Sequence, residues 1–167
     1  MARKSPGRTA AAARRIVAFV IAGIVMTALG SIAHSFFVQM AWSGAAGQAA
    51  GAGPTAVPFA DRVSWAAHDF LGLNPTYGAL ASAALLIGIL AAGRLARLTG
   101  HRTALFGLGG ALAILALFTI LRMSLGTVGI FGARGAMGHA AQMAAGLIAG
   151  MLFARLTSPR KARTNTP

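Results

Sequence analysis

Apolar residues run almost unbroken at four places along the chain, each long enough to cross a bilayer. A transmembrane helix needs about 20 such residues to traverse about 30 Å of hydrocarbon. The first run extends from Ile16 to about Trp42, directly after Arg14 and Arg15. The second runs from about Pro75 to Gly93, the third covers Thr103–Leu121, and the fourth spans about Gly135–Ala154, broken by His139 and Gln142. Asn74 suits an N-cap before the second run, and Pro75 suits the first helical position, where its missing N–H costs nothing. The pattern predicts an all-α integral membrane protein with transmembrane helices near 16–42, 75–93, 103–121 and 135–154.

Between the first two runs the pattern changes twice. Residues 43–58, "SGAAGQAAGAGPTAVP", are small and Gly/Pro-rich, which predicts a flexible connection. In residues 59–73, Phe59, Val63, Ala66, Phe70 and Leu73 recur at helical spacing, with Asp61, Ser64, Trp65 and His68 opposite. This is an amphipathic helix, expected in the outer membrane interface. Trp42, Trp65 and Tyr77 are then expected at headgroup depth, where amphipathic rings prefer to lie.

Composition supports lipid over water as the solvent: 56% of residues are hydrophobic and 10% charged, against about 25% charged in a typical globular domain. The formal net charge is +13, from fifteen Lys/Arg and two acids. The position of that charge decides its meaning. Lys/Arg at 3, 4, 8, 14, 15, 94, 97, 102, 155, 160, 161 and 163 flank apolar runs. Arg62, Arg122 and Arg134 fall in the alternate segments. The bias orients both termini to the cytoplasm, with basic tails at 1–15 and 155–167. No aromatic residues interleave with the cations as base stacking needs, so nucleic acid is not an expected partner. The Ala/Gly/Arg-rich make-up points to a bacterial inner membrane. A cleavable signal peptide with an apolar core at Ile16–Leu29 is the alternative for the first helix. The apolar run continues past it to Trp42, which favours an uncleaved span. Cysteine is absent, which removes disulfides, thiolate metal sites and cysteine nucleophiles.

The stretch "GIFGARGAMGHAAQMAAGLIAGMLFA", 129–154, has glycines at 129, 132, 135 and 138. It lacks the strand and the Gly-Lys-Ser/Thr of a phosphate loop, and the proline of a collagen repeat. Gly138, Gln142, Gly146 and Gly150 fall four apart, the small-residue spacing that lets membrane helices approach closely. Gly138, Gly146 and Gly150 are the expected packing residues, and Gly129–Gly135 a bent approach to the fourth helix.

Ionisable residues gather toward the outer side. Asp61, Asp69, Arg62, Arg122 and Arg134 suit mutual neutralisation, with Asp61 pinning the amphipathic helix to the bundle through Arg122 or Arg134. His34 and His139, one on each of two helices, are the candidate ligands for a b-type haem. His68 with Asp69 could face a cation. There is no Glu for a carboxylate-bridged metal site, and no cofactor is expected. No serine sits in Gly-x-Ser-x-Gly, and no nucleophile, base and oxyanion set is evident, so catalysis is not expected. The expected function is that of an accessory or scaffold membrane protein, packing against other membrane proteins or itself in the lipid bilayer. Two alternatives remain: an outer-leaflet binder of haem, quinone or lipid using His34, His139 and Arg122, and an oligomeric transporter or channel subunit.

Overall fold

The computed structural model describes residues 6–49, 58–126 and 135–158. These are helical throughout except at short turns. Helix α1 is Pro6–Ala49, α2 is Phe59–Leu73, α3 is Ala79–Thr99, α4 is Arg102–Leu125 and α5 is Ala136–Leu156. Four segments, Thr9–Gly47, Pro75–Thr99, Arg102–Leu125 and Ala136–Leu156, are long and apolar enough to cross a membrane.

Two elements differ from expectation. Helix α1 has 44 residues, because the helix begins at Pro6, within the segment expected as a basic tail, and the small segment after Trp42 stays helical through Ala49. Ala-rich sequence has the helix propensity to continue, and Gly44 and Gly47 lower it by only about 1 kcal/mol each. Asn74 and Pro75 do not begin a helix. They sit in a π-helical turn, Asn74–Gly78, that joins α2 directly to α3. Proline supplies no N–H to the ladder, and a widened turn takes up the missing bond without ending the helical path. Between α3 and α4, Gly100 adopts φ 77° and its N–H bonds the Ala96 carbonyl at 3.1 Å. A left-handed residue here closes α3 and starts the tight turn into α4.

The packing order is α1–α5–α4–α3, each helix antiparallel to its neighbour. Arg14 lies by Thr157 and Gly30 by Gln142 along α1 and α5. Gly110 faces Gly146 between α4 and α5, and Gly88 faces Gly109 between α3 and α4. Helix α4 is the central slat, with glycines on two faces. Gly107 and Gly110 meet α5, while Gly109 meets α3. A Cβ at Gly146 would lie 2.5 Å from the Gly110 carbonyl oxygen, and one at Gly109 would lie 2.7 Å from that of Gly88. Backbones this close require both positions to lack side chains, which concentrates dispersion contacts where lipid gives no hydrophobic drive. Gly146 and Gly150 thus pack within the chain, against Gly110 and Phe106 of α4. Gly138 is buried on the same helix.

Many large apolar side chains point outward, while Met26, Leu85, Ile114 and Phe118 fill the core between the small residues. Ile16, Val20 and Ile24 of α1, Ile87 and Leu90 of α3, and Leu112 and Ile120 of α4 are exposed, while Ala18, Ala22, Ala81, Ala145 and Ala149 are buried. An apolar exterior around a small-residue interior is the arrangement lipid favours and water opposes.

Candidate functional site around Gln142

The end away from Arg14, Arg102 and Arg155 holds most of the residues that could carry chemistry, on α1, α2, the π turn and α5. Its centre is Gln142, 1% exposed. The Gln142 Nε2 donates to the Gly30 carbonyl of α1 at 2.8 Å, and its Oε1 accepts from the Tyr77 hydroxyl at 2.8 Å. One amide thereby ties α1, the π turn and α5 together. The Tyr77 ring stacks on Phe118 at 6.2 Å between centroids, and the His139 ring meets the same Phe118 edge-on at 5.3 Å. Tyr77, expected at headgroup depth, is therefore buried. A buried phenol needs a hydrogen-bond partner, and Gln142 provides it.

Helix α2 has the expected bounds, but it lies along α1 and not flat across the bundle end. Gln39 Nε2 donates to the Arg62 carbonyl at 3.4 Å, and Ser31 Oγ to that of Ala66 at 3.4 Å. The Ser35 hydroxyl donates to the Asp69 carboxylate. Moving up α1 from Ser31 to Gln39 moves back along α2 from Ala66 to Arg62, so the two run antiparallel. Phe59, Val63, Ala66 and Phe70, the apolar face of α2, meet Ile32 and Phe36 of α1 around an open groove of about 510 Å³. Helix α1 covers that face only in part, and Phe59 and Val63 remain exposed.

The structure separates several residues that the sequence grouped. Asp61 does not pin α2 to α4 through Arg122, because among the described elements α2 packs only on α1 and the π turn. Arg122 is exposed in the last turn of α4. Arg134, with Gly129 and Gly132, lies outside the described residues. His34 and His139 sit at one level of neighbouring helices but serve different neighbours. His139 turns to Phe118 of α4, with Nδ1 3.3 Å from the Gly135 carbonyl, and His34 lies near Asp69 of α2. The cavities described here are not lined by either ring. His68 and Asp69 line a cavity of about 570 Å³ with Val38, Trp42, Ser64 and Trp65. Among the described residues no group of three or more His, Asp or Glu could hold a metal ion.

Sequence reasoning missed two features. The Tyr77–Gln142–Gly30 network joins positions far apart in the chain, and the one available signal was a glutamine inside an apolar run. At the opposite end, arginines from three helices surround one cavity. The sequence showed each as a flanking charge and gave no sign that they converge. Comparison with protein-family models, with curated proteins and with solved structures finds no match to this chain.

Proposed function

We propose that the chain is an integral protein of the bacterial inner membrane, with both termini cytoplasmic, that acts as an accessory or scaffold subunit through helix–helix packing and without catalysis. The observation that supports it most is the length of α1. Its 44 residues extend about 66 Å at roughly 1.5 Å per residue, about twice the hydrocarbon thickness. Counted from Arg15, its last third, with α2 beside it, forms an arm reaching past the lipid. That arm exposes Met40 at 56%, Trp42 at 65% and Phe59 at 80%. Large apolar side chains held by helices outside hydrocarbon are the mark of a protein contact surface. The bundle below is sealed by Gln142 and the glycine contacts, which fits a rigid mount better than an axial path for ions.

The chain has no cysteine, so single cysteines carrying a photoreactive group report one position each. Phe59→Cys should cross-link to a discrete protein partner, or to a second copy, in native membranes, whereas Leu98→Cys near the basic end should yield no protein adduct. Lipid-only adducts at both positions would refute the accessory reading. A second reading, an outer-leaflet site for a quinone or lipid, is favoured by the groove between α1 and α2, whose apolar wall ends in Ser35, Gln39 and Arg62. It predicts a co-purifying small molecule that is lost in Ala66→Phe.

A further inference from the structure

At the basic end, Arg14 and Arg15 of α1, Arg94 and Arg97 of α3, and Arg102 of α4 line one cavity of about 600 Å³. Its apolar wall includes Ile89, Phe106 and Phe153. Helices α1 and α3 meet near Gly23 and Ser82, and the cavity lies between them on the arginine side. Five guanidinium groups around one space repel one another, and Arg102 feels the charges of both Arg14 and Arg15.

Among the described residues no acidic side chain lies at this end to neutralise them. The chain has two acidic side chains, Asp61 and Asp69, and both sit on α2 at the far end. The contacts that hold the cavity are neutral. Arg102 Nη2 donates to Thr157 Oγ1 at 2.6 Å, and its guanidinium lies 4.8 Å from the Phe106 ring centre. Arg14 donates to the Thr157 and Ser158 carbonyls at 3.4 and 3.3 Å. Arg102 Nε is buried without a hydrogen-bond partner, the one such side-chain atom among the described residues. Buried donors are satisfied in nearly all cases, so an orphan on a charged group marks a missing acceptor. Arg102 also opens α4, where the helix dipole favours negative charge.

From this convergence we propose that the cavity binds one phosphate group, carried by an anionic phospholipid headgroup or by a soluble phosphate compound. Guanidinium forks match phosphate oxygens bidentately, and basic pockets between helices on the cytoplasmic side of a membrane suit phospholipid headgroups. The proposal is independent of the accessory reading, since it concerns the other end of the molecule and needs no protein partner.

The test uses the full chain in a neutral detergent, with phosphatidylglycerol, phosphatidylcholine or inorganic phosphate added at constant ionic strength. Thermal unfolding and native mass spectrometry give stability and stoichiometry. Phosphatidylglycerol, inorganic phosphate or both should raise the melting temperature and bind one per chain. Stabilisation by the lipid alone assigns a headgroup, and by phosphate alone a soluble ligand. R94Q/R97Q removes two exposed arginines of the cavity and should weaken binding by about tenfold or more, as loss of charge-assisted hydrogen bonds implies. R155Q removes an exposed arginine of the same end that does not line the cavity and should bind as the parent does. Equal loss per charge removed in both variants would mean diffuse attraction and overturn the proposal. So would an equal response to phosphatidylcholine, or no response to either anion.

Discussion

Replacing Gly146 by alanine adds one methyl group at the tightest kind of contact in the bundle. The new Cβ would stand 2.5 Å from the Gly110 carbonyl oxygen, 2.9 Å from the Gly110 carbonyl carbon and 2.9 Å from Ile114 Cγ1. Ordinary contact needs about 3.5 Å, so α4 must withdraw by roughly an ångström to relieve it. Two of the three neighbours are backbone atoms, which no rotamer change can move. Overpacking typically costs about 1–3 kcal/mol, and an unyielding backbone puts this site at the upper end. For a chain of this size that corresponds to a fall in melting temperature of about 4–10 °C. Thermal unfolding in detergent reads it directly. Gly44→Ala is the internal control, because nothing lies within 4 Å of its Cβ. There the same change should be neutral or raise stability by up to about 1 kcal/mol, through helix propensity alone. If G146A melts with the parent, or falls no further than G44A, the close α4–α5 approach does not hold the fold.

Gln142→Leu leaves the buried Tyr77 hydroxyl without its acceptor and should cost about 1–3 kcal/mol. Adding Tyr77→Phe should recover part of that loss, and strictly additive losses in the double-mutant cycle would break the inferred coupling. For topology, Ser124→Cys should react with a membrane-impermeant maleimide on intact cells, and Ser158→Cys only after permeabilisation; the reverse pattern would invert the orientation. Arm cross-linking at Phe59→Cys and phosphate-dependent stabilisation test the two ends separately, and either result stands without the other.

The helices were legible because lipid demands long apolar runs, and the ends of α4 and α5 fall within a few residues of the expected limits. The amphipathic period placed α2 at its observed bounds, Phe59–Leu73. Periodicity reports a face, though, and cannot say what covers it. The apolar face of α2 suits an interface or another helix equally; Ser31, Ser35 and Gln39 of α1 hold α2 by polar contacts, while Phe59 and Val63 stay exposed. Small-residue spacing singled out Gly146 and Gly150, yet not the matching Gly107 and Gly110, which stand three apart and read as incidental. For the histidines, helix level can be counted from sequence while ring direction cannot. His34 and His139 share a level and turn to different neighbours.

The two ends of the bundle differ in how their polar groups are satisfied, and this difference carries the functional argument. At the outer end the buried groups close on one another: Tyr77 with Gln142, Gln142 with Gly30, Ser35 with Asp69. Such a network satisfies these groups from within the chain. At the basic end, five arginines face a cavity with neutral hydrogen-bond partners and one orphaned donor. Repulsion among them favours opening α1 from α3, where the two helices touch least. An anion between them reverses that force and ties α1, α3 and α4 through the charges they supply. Simple salt would screen the repulsion over about a Debye length without bridging the arginines of the three helices. Phosphate should therefore stabilise the chain beyond chloride at matched ionic strength, and the excess should vanish in R94Q/R97Q while the outer end stays intact.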